Sequence, residues 1–350
     1  MSPKNVVVVG ATGAQGGSIV TELLKYAHEF HIRALTRDVK KPSALALSAQ
    51  GVEVHPVDLN DSLEKLIEAF EGAEVLYGMT DFYSSGSKDI ETAQGKAIAD
   101  AAAATPTLKH FLWGTLPDPV KVSNGKFLNV HHWQSKADVT EYIKTKYPDL
   151  WIKTTAILFP NYFENCLTMP KWYLPKKVIS TNVVPSRRSC LIKPKHNLLQ
   201  RANLRVKESG IYTLSFLHSE NTLLPNVSIT DTGKLVRLVI LNGAQYFRKS
   251  IAFYAEALSE AEKLREMGRL LGIATVYKSI TPAQFQSRLI SGGMSPVMAL
   301  DYTEQLQIFE ECGQIYDDPN LIQAFEIPGL SLKTWKEFIK ENDVLAKLDQ

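Results

Sequence analysis

The sequence predicts an α/β protein: a doubly wound parallel sheet with a smaller mixed α/β lobe after it. Three observations carry this reading. Short apolar runs alternate with amphipathic ones over the first 160 residues. The first run is four consecutive valines, Val6 to Val9. It leads into a glycine-rich turn that opens a helical pattern. Strand then helix, repeated at this spacing, is the signature of a parallel sheet with helices on both faces.

Taken in order, strands are expected at 5–9, 32–36, 52–57, 75–78, 110–113 and 153–157. Helices are expected between them at 15–26, 43–49, 63–70, 90–104 and 132–146. The alanine run at 101–104 favours a close-packed helix end. The pattern then changes, with short strands at 212–216 and 250–254. Helices follow at 231–241, 259–271, 299–315 and 332–341. Ser259 with Glu262 three residues on is a capping-box pattern. The division predicted is a nucleotide-binding domain over 1–160 and a lobe for substrate or partner over 161–350, packed on one sheet edge.

Apolar residues make up 45% of the 350 and charged residues 22%, as in ordinary soluble chains. No apolar run approaches the roughly 20 residues that cross a bilayer. The run near the N-terminus is too short for a signal peptide. A cytoplasmic protein with no membrane partner is expected. Cys166, Cys190 and Cys312 are scattered and suggest neither a disulfide framework nor a metal site. The net charge of +2 conceals an asymmetry. Residues 178–207 hold seven cations and no acid, and without them 32 basic residues face 37 acidic ones. That balance gives no reason to expect nucleic-acid binding.

In Gly10-Ala11-Thr12-Gly13-Ala14-Gln15-Gly16 each glycine has its own task. Gly10 allows the tight turn, Gly13 lets a pyrophosphate approach the backbone, and Gly16 lets the helix pack on the strand. Backbone N–H groups at the helix start then hold the phosphates. After the second strand, Arg37 with Lys40 and Lys41 offers cations for a 2′-phosphate, which favours NADP(H) over NAD. Asp38 beside them is the alternative, a ribose ligand for NAD. Asp58 and Leu59 follow the third strand, where an adenine would lie. Thr80, Asp81 and Phe82 follow the fourth, at the carboxyl edge where cofactors sit.

The strings GATGAQGGSIV, LTRDVKK, VDLND, HHWQSKADVTEYI and FPNYFEN together resemble the NmrA-like proteins, atypical short-chain dehydrogenases/reductases. The resemblance runs from residue 4 to about 177 and more loosely from 208 to the end. It implies a Rossmann domain, NADP(H) binding and a small C-terminal lobe. It also implies either a reductase of specialised metabolism or a redox-sensing regulator. The wider superfamily uses Tyr-x-x-x-Lys, where the tyrosine protonates the carbonyl and the lysine binds the nicotinamide ribose. Here the pattern reads His132-Trp-Gln-Ser-Lys136. Lys136 is therefore the expected ribose ligand, and His132 a candidate acid in place of tyrosine. Thr115 stands near the position of a carbonyl-orienting serine. Pro160, Asn161, Tyr162 and Phe163 are expected beside the nicotinamide, with Tyr162 a second candidate acid.

Residues 178–207 interrupt the family pattern. Two readings stay open: a basic loop for an anionic partner, or translation of a retained intron, which predicts few packed contacts there. The function expected is NADPH-dependent reduction of a small hydrophobic metabolite, suggested by Phe82, Tyr83, Phe163 and Met169. The alternative is a non-catalytic NADP(H) sensor that controls a protein partner.

Overall fold

Alternating buried runs become strands in the computed structural model, which describes residues 2–178 and 210–348. The expected strands of the first 160 residues are β1 (Lys4–Val9), β2 (Phe30–Thr36), β3 (Glu53–Pro56), β4 (Val75–Gly78), β5 (His110–Thr115) and β6 (Thr154–Leu158). Between them run α1 (Ala14–Leu24), α2 (Pro42–Ser48), α3 (Leu63–Phe70), α4 (Lys88–Ala103) and α5 (His131–Lys146). The valines of β1 show why helices cover both faces. Val6 and Val8 pack with Ile19, Val20 and Leu23 of α1 on one side. Val7 and Val9 pack with Phe70, Ile98 and Val139 on the other. The two-residue period of a strand sends alternate side chains to opposite layers.

Beyond residue 160 come β7 (Asn161–Tyr162), β8 (Lys176–Val178), β9 (Ile211–Phe216), β10 (Leu224–Val227), β11 (Lys249–Ala252), β12 (Glu256–Leu258), β13 (Ala274–Ser279) and β14 (Leu321–Gln323). The longer helices there are α6 (Thr232–Leu241), α7 (Glu260–Leu271), α8 (Pro282–Ser291), α9 (Pro296–Cys312) and α10 (Trp335–Glu341). The main sheet has eight strands in the order β14-β11-β6-β5-β4-β1-β2-β3. Its pairings are parallel throughout. The order reverses between β1 and β4, which opens a crevice at the carboxyl ends of the strands. Two three-stranded sheets, β12-β10-β7 and β13-β9-β8, belong to the rest of the chain.

One expectation changes here. The strand expected within the lobe at 250–254 is β11, which instead pairs with β6 and extends the main sheet. Ile251, Ala252 and Phe253 are fully buried there, so the apolar run fits an interior position. Other helices shift at their ends for local reasons. α9 starts before the expected residue 299, because Ser295 caps it and Pro296 takes its first position. It stops at Gly313, whose φ is +72°. α10 starts after Thr334, which caps it in a box with Glu337. The expected box of Ser259 and Glu262 is present at α7. The helix α8 is additional to the expected elements, and Thr281, Pro282 and Gln284 mark its start in the same way. Apart from the backbone of Val178, which pairs with Ile211, the basic segment 178–207 lies outside the described residues.

Candidate active site

The crevice at the strand reversal is a cavity of about 710 Å³. Its walls come from the loops after β1, β2, β3, β4, β5 and β6 and from α5 and α9. At one end α1 opens into it. Gly10 takes φ +67°, and the Gly13 N–H donates to Gly10 O at 2.9 Å, closing the turn. No side chain caps α1 and its first turn holds no acid, so its leading N–H groups are left for an anion. Gly10, Thr12, Gly13, Ala14 and Gln15 line the cavity. A Cβ on Gly13 would lie 3.2 Å from Gly10 O and would crowd this cradle. The chain therefore fits a pyrophosphate on its own geometry.

Arg37 and Lys41 line the same end, as do Asp58 and Leu59. The Asp38 carboxylate is turned back to accept the Lys40 backbone N–H at 2.8 Å, and Asp38 is not on the wall. That leaves the cations of Arg37 and Lys41 on this part of the wall. Asp58 Oδ1 accepts from the Asn60 backbone at 2.9 Å and from Asn60 Nδ2 at 2.7 Å, which fixes the loop after β3. Thr80, Asp81 and Phe82 line the middle of the cavity. Asp81 caps a short turn by accepting from the Tyr83 N–H.

At the other end α5 presents His132 and Lys136, one turn apart, to the cavity. Lys136 Nζ pairs with the carboxylate of Glu91, which is 1% exposed. The Thr80 hydroxyl donates to the same carboxylate at 2.8 Å, and the Ser135 hydroxyl donates to its other oxygen. An ammonium has three protons, so Lys136 can serve Glu91 and a ribose hydroxyl together. Thr115 is on the wall, but its hydroxyl is held between Thr140 Oγ1 at 2.8 Å and the Lys136 carbonyl at 3.2 Å.

His132 is buried beside the rings of Phe82 and Tyr83, each 5.8 Å away. Asp301 of α9 grips it twice. One carboxylate oxygen accepts the His132 backbone N–H at 3.1 Å, and the other meets Nδ1. Nε2 has no hydrogen-bond partner among the described residues. This fixes the tautomer: Nδ1 carries a proton for the carboxylate, and Nε2 is left to a ligand.

Tyr162 is arranged differently. Its hydroxyl accepts from Gln15 Nε2 at 2.9 Å, and Gln15 Oε1 accepts from Tyr77 at 2.7 Å. Burial pushes the Tyr162 hydroxyl well above the ordinary tyrosine range, which makes it a weak proton donor. Pro160 and Asn161 complete this wall, and Asn161 Nδ2 is buried without a partner among the described residues.

The sequence profile of the NmrA-like family matches residues 2–339. This chain belongs to the NmrA-like family. Its similar relatives include an NmrA-like family domain-containing protein of Dictyostelium discoideum, 26% identical over 284 residues, 81% of this chain and 82% of that one. The oxidoreductase notA of an Aspergillus species is 34% identical over 143 residues, 40% of this chain and 41% of its own length. Among solved structures, the negative transcriptional regulator NmrA superposes with a TM-score of 0.70 at 20% identity, covering 99% of this chain and 97% of that one. A binary complex of leucoanthocyanidin reductase with NADPH, from Vitis vinifera, gives 0.66 at 17% identity, covering 96% and 98%. Both likenesses concern the fold.

Four expected site residues of this NmrA-like protein do not line the cavity. Ala11 is fully buried with the β1 and α1 core, and its N–H donates to Leu35 O at 3.1 Å. Gly16 lies behind the turn, where a Cβ would fall 2.4 Å from Gly10 O. Lys40 is exposed beyond the rim, leaving Arg37 and Lys41 as the wall cations. Phe163 turns into the core of the lobe, 5.3 Å from the Trp335 ring and 5.6 Å from Phe338. Alternation explains that last difference, because Tyr162 faces the cavity and its neighbour must face away. Glu91, Asp301, Tyr302 and Gln305 were not singled out. The i, i+4 spacing of Asp301 and Gln305 within an apolar helical stretch was the available signal.

Proposed function

We propose that this NmrA-like protein is a cytoplasmic NADP(H)-dependent oxidoreductase that acts on a small, hydrophobic carbonyl or conjugated metabolite of specialised metabolism. The observation that carries the proposal is His132, fixed through Nδ1 by Asp301 with Nε2 open to the cavity. A binding protein has no need of a buried imidazole held in one tautomer. Relatives named as oxidoreductases, and a reductase of this fold solved with NADPH, support the reading.

The N-terminus of α1 would hold the pyrophosphate, Arg37 and Lys41 the 2′-phosphate, and Lys136 the nicotinamide ribose. NADPH, when bound, supplies a hydride. With both ring nitrogens protonated, His132 would donate the Nε2 proton to the substrate oxygen. The Asp301 carboxylate stabilises the charged imidazole before the transfer and holds the ring in line. Phe82, Trp133, Met169 and Phe309 on the walls exclude water and favour an apolar substrate. The second reading, a redox sensor acting on a protein partner, is favoured by the absence of tyrosine at position 132.

The two readings separate in one experiment. Stopped-flow oxidation of NADPH is followed with a panel of aromatic ketones and enones, in wild type, His132→Asn and Asp301→Asn. The expected result is substrate-dependent oxidation in wild type, with kcat falling by about 10²–10³ in His132→Asn. Asp301→Asn should lose about ten- to a hundredfold, from one charge-assisted hydrogen bond of about 1.5–3 kcal/mol. NADPH affinity should be unchanged in both. No oxidation with any compound, or equal rates in His132→Asn and wild type, would sink the enzyme reading.

A further inference from the structure

One turn of α9 carries four polar side chains that face other elements, and three of them are spent, Tyr302 on the Tyr173 hydroxyl. Asp301 holds His132. Glu304 accepts from Asn129, through the backbone N–H at 2.8 Å and Nδ2 at 2.7 Å. The fourth, Gln305, makes no hydrogen bond to any described residue. It is 8% exposed and lines the cavity; its Oε1 is covered and unpaired among the described residues, and a half-turn of the amide exchanges its two ends at the wall. Buried amides are nearly always paired, so one left idle on a cavity wall marks a place where a ligand completes the pairing. Its neighbours on the wall are ring-bearing or apolar: Tyr302, Phe309, Met169 and Trp133.

We propose that Gln305 is the polar anchor for the substrate, and that the substrate is a hydroxyl-bearing aromatic ketone. This rests on the oxidoreductase reading above. Gln305 lies four residues after Asp301, hence about 6 Å further along the same face of the helix. His132 and Gln305 both line the one cavity, so a substituted aromatic ring with a polar group at each end can face both. The anchoring group is a hydroxyl because it both donates and accepts, and so pairs with either end of a primary amide. A methyl group would leave the amide idle, and an ether oxygen could pair only with its NH2 end.

The test uses the full chain saturated with NADP⁺ and three probes of one shape: 6-hydroxy-, 6-methoxy- and 6-methyl-1-tetralone. Calorimetry gives their affinities for wild type, Gln305→Leu and Gln305→Asn. In wild type the hydroxy compound should bind roughly tenfold tighter than the methyl compound, as one good hydrogen bond allows. Gln305→Leu should erase that preference while its NADP⁺ affinity and melting temperature stay unchanged. Gln305→Asn, shorter by one methylene, should keep part of it. Equal binding of the three compounds to wild type overturns the proposal. So does a hydroxyl preference that survives in Gln305→Leu, or the binding of none of the three. The readout is independent of turnover. A preference that depends on Gln305 without NADPH oxidation by any compound refutes the oxidoreductase reading alone. Oxidation without the preference refutes the anchor alone.

Discussion

Replacing Gly16 by alanine tests how the cofactor cradle is built. An ideal Cβ there falls 2.4 Å from Gly10 O, 2.7 Å from Gly10 C and 2.8 Å from Ala11 Cα. All three atoms are backbone, so no side chain can swing aside. Comfortable contacts lie near 3.5 Å, so the turn at Gly10 and Ala11 must retreat by roughly 1 Å. Overpacking of this kind costs about 1–3 kcal/mol. For a chain of this length that is a fall of about 1.5–4 °C in melting temperature. The displaced turn also forms the phosphate cradle. Losing one charge-assisted contact there, about 1.5–3 kcal/mol, weakens NADPH binding ten- to a hundredfold. Gly17→Ala is the control. Its Cβ would sit 3.6 Å from Ala11 O, an ordinary contact, and alanine favours the helix. Scanning calorimetry and NADPH titration of both variants read these effects. Wild-type affinity and stability in Gly16→Ala would refute the packing argument, and so would matching losses in Gly17→Ala.

Three further outcomes are expected. Arg37→Ala should weaken NADPH at least tenfold and leave NADH binding nearly unchanged, because one bidentate phosphate contact is lost; parallel titrations check this. Glu91→Gln should lower unfolding stability in urea by about 3–5 kcal/mol, since it strands a largely buried Lys136, and adding Lys136→Met should recover part of the loss. His110, 3% exposed, is pushed down to about 4 by burial, with help from Lys4. Its folded pKa lies below its unfolded one, so the unfolded chain takes the proton first as pH falls. Stability present above pH 6.5 is therefore lost toward pH 4, by up to roughly 3 kcal/mol. His110→Gln should show a flatter melting temperature between pH 7 and 4.

Local signals in the sequence were reliable where a few neighbouring residues decide the outcome. The strand-to-helix turn at Gly10, the box of Ser259 and Glu262, and the shared face of His132 and Lys136 depend on spacings of three or four residues. Sheet membership is not of that kind. Whether β11 pairs in the lobe or beside β6 depends on the path the chain takes between them, and a strand's own residues read the same in both places. The site shows the same limit. Asp301 reaches His132 from 169 residues away, and Glu91 meets Lys136 from 45. In sequence each is one acid on an amphipathic helix. Only tertiary contact turns the first into a grip on an imidazole and the second into a counter-ion.

The same sheet order has a consequence for birth on the ribosome. β6 is buried at every position and becomes an interior strand only when β11 joins it, and β11 itself is covered by β14, which ends at Gln323. Until then the growing sheet offers an apolar edge with unpaired backbone groups, the surface on which strands of other chains add. Synthesis at about 5–20 residues per second leaves that edge open for roughly ten to thirty seconds. A nascent chain of this fold is thus exposed to mispairing far longer than its early strands need to form. The late segments act as its guard.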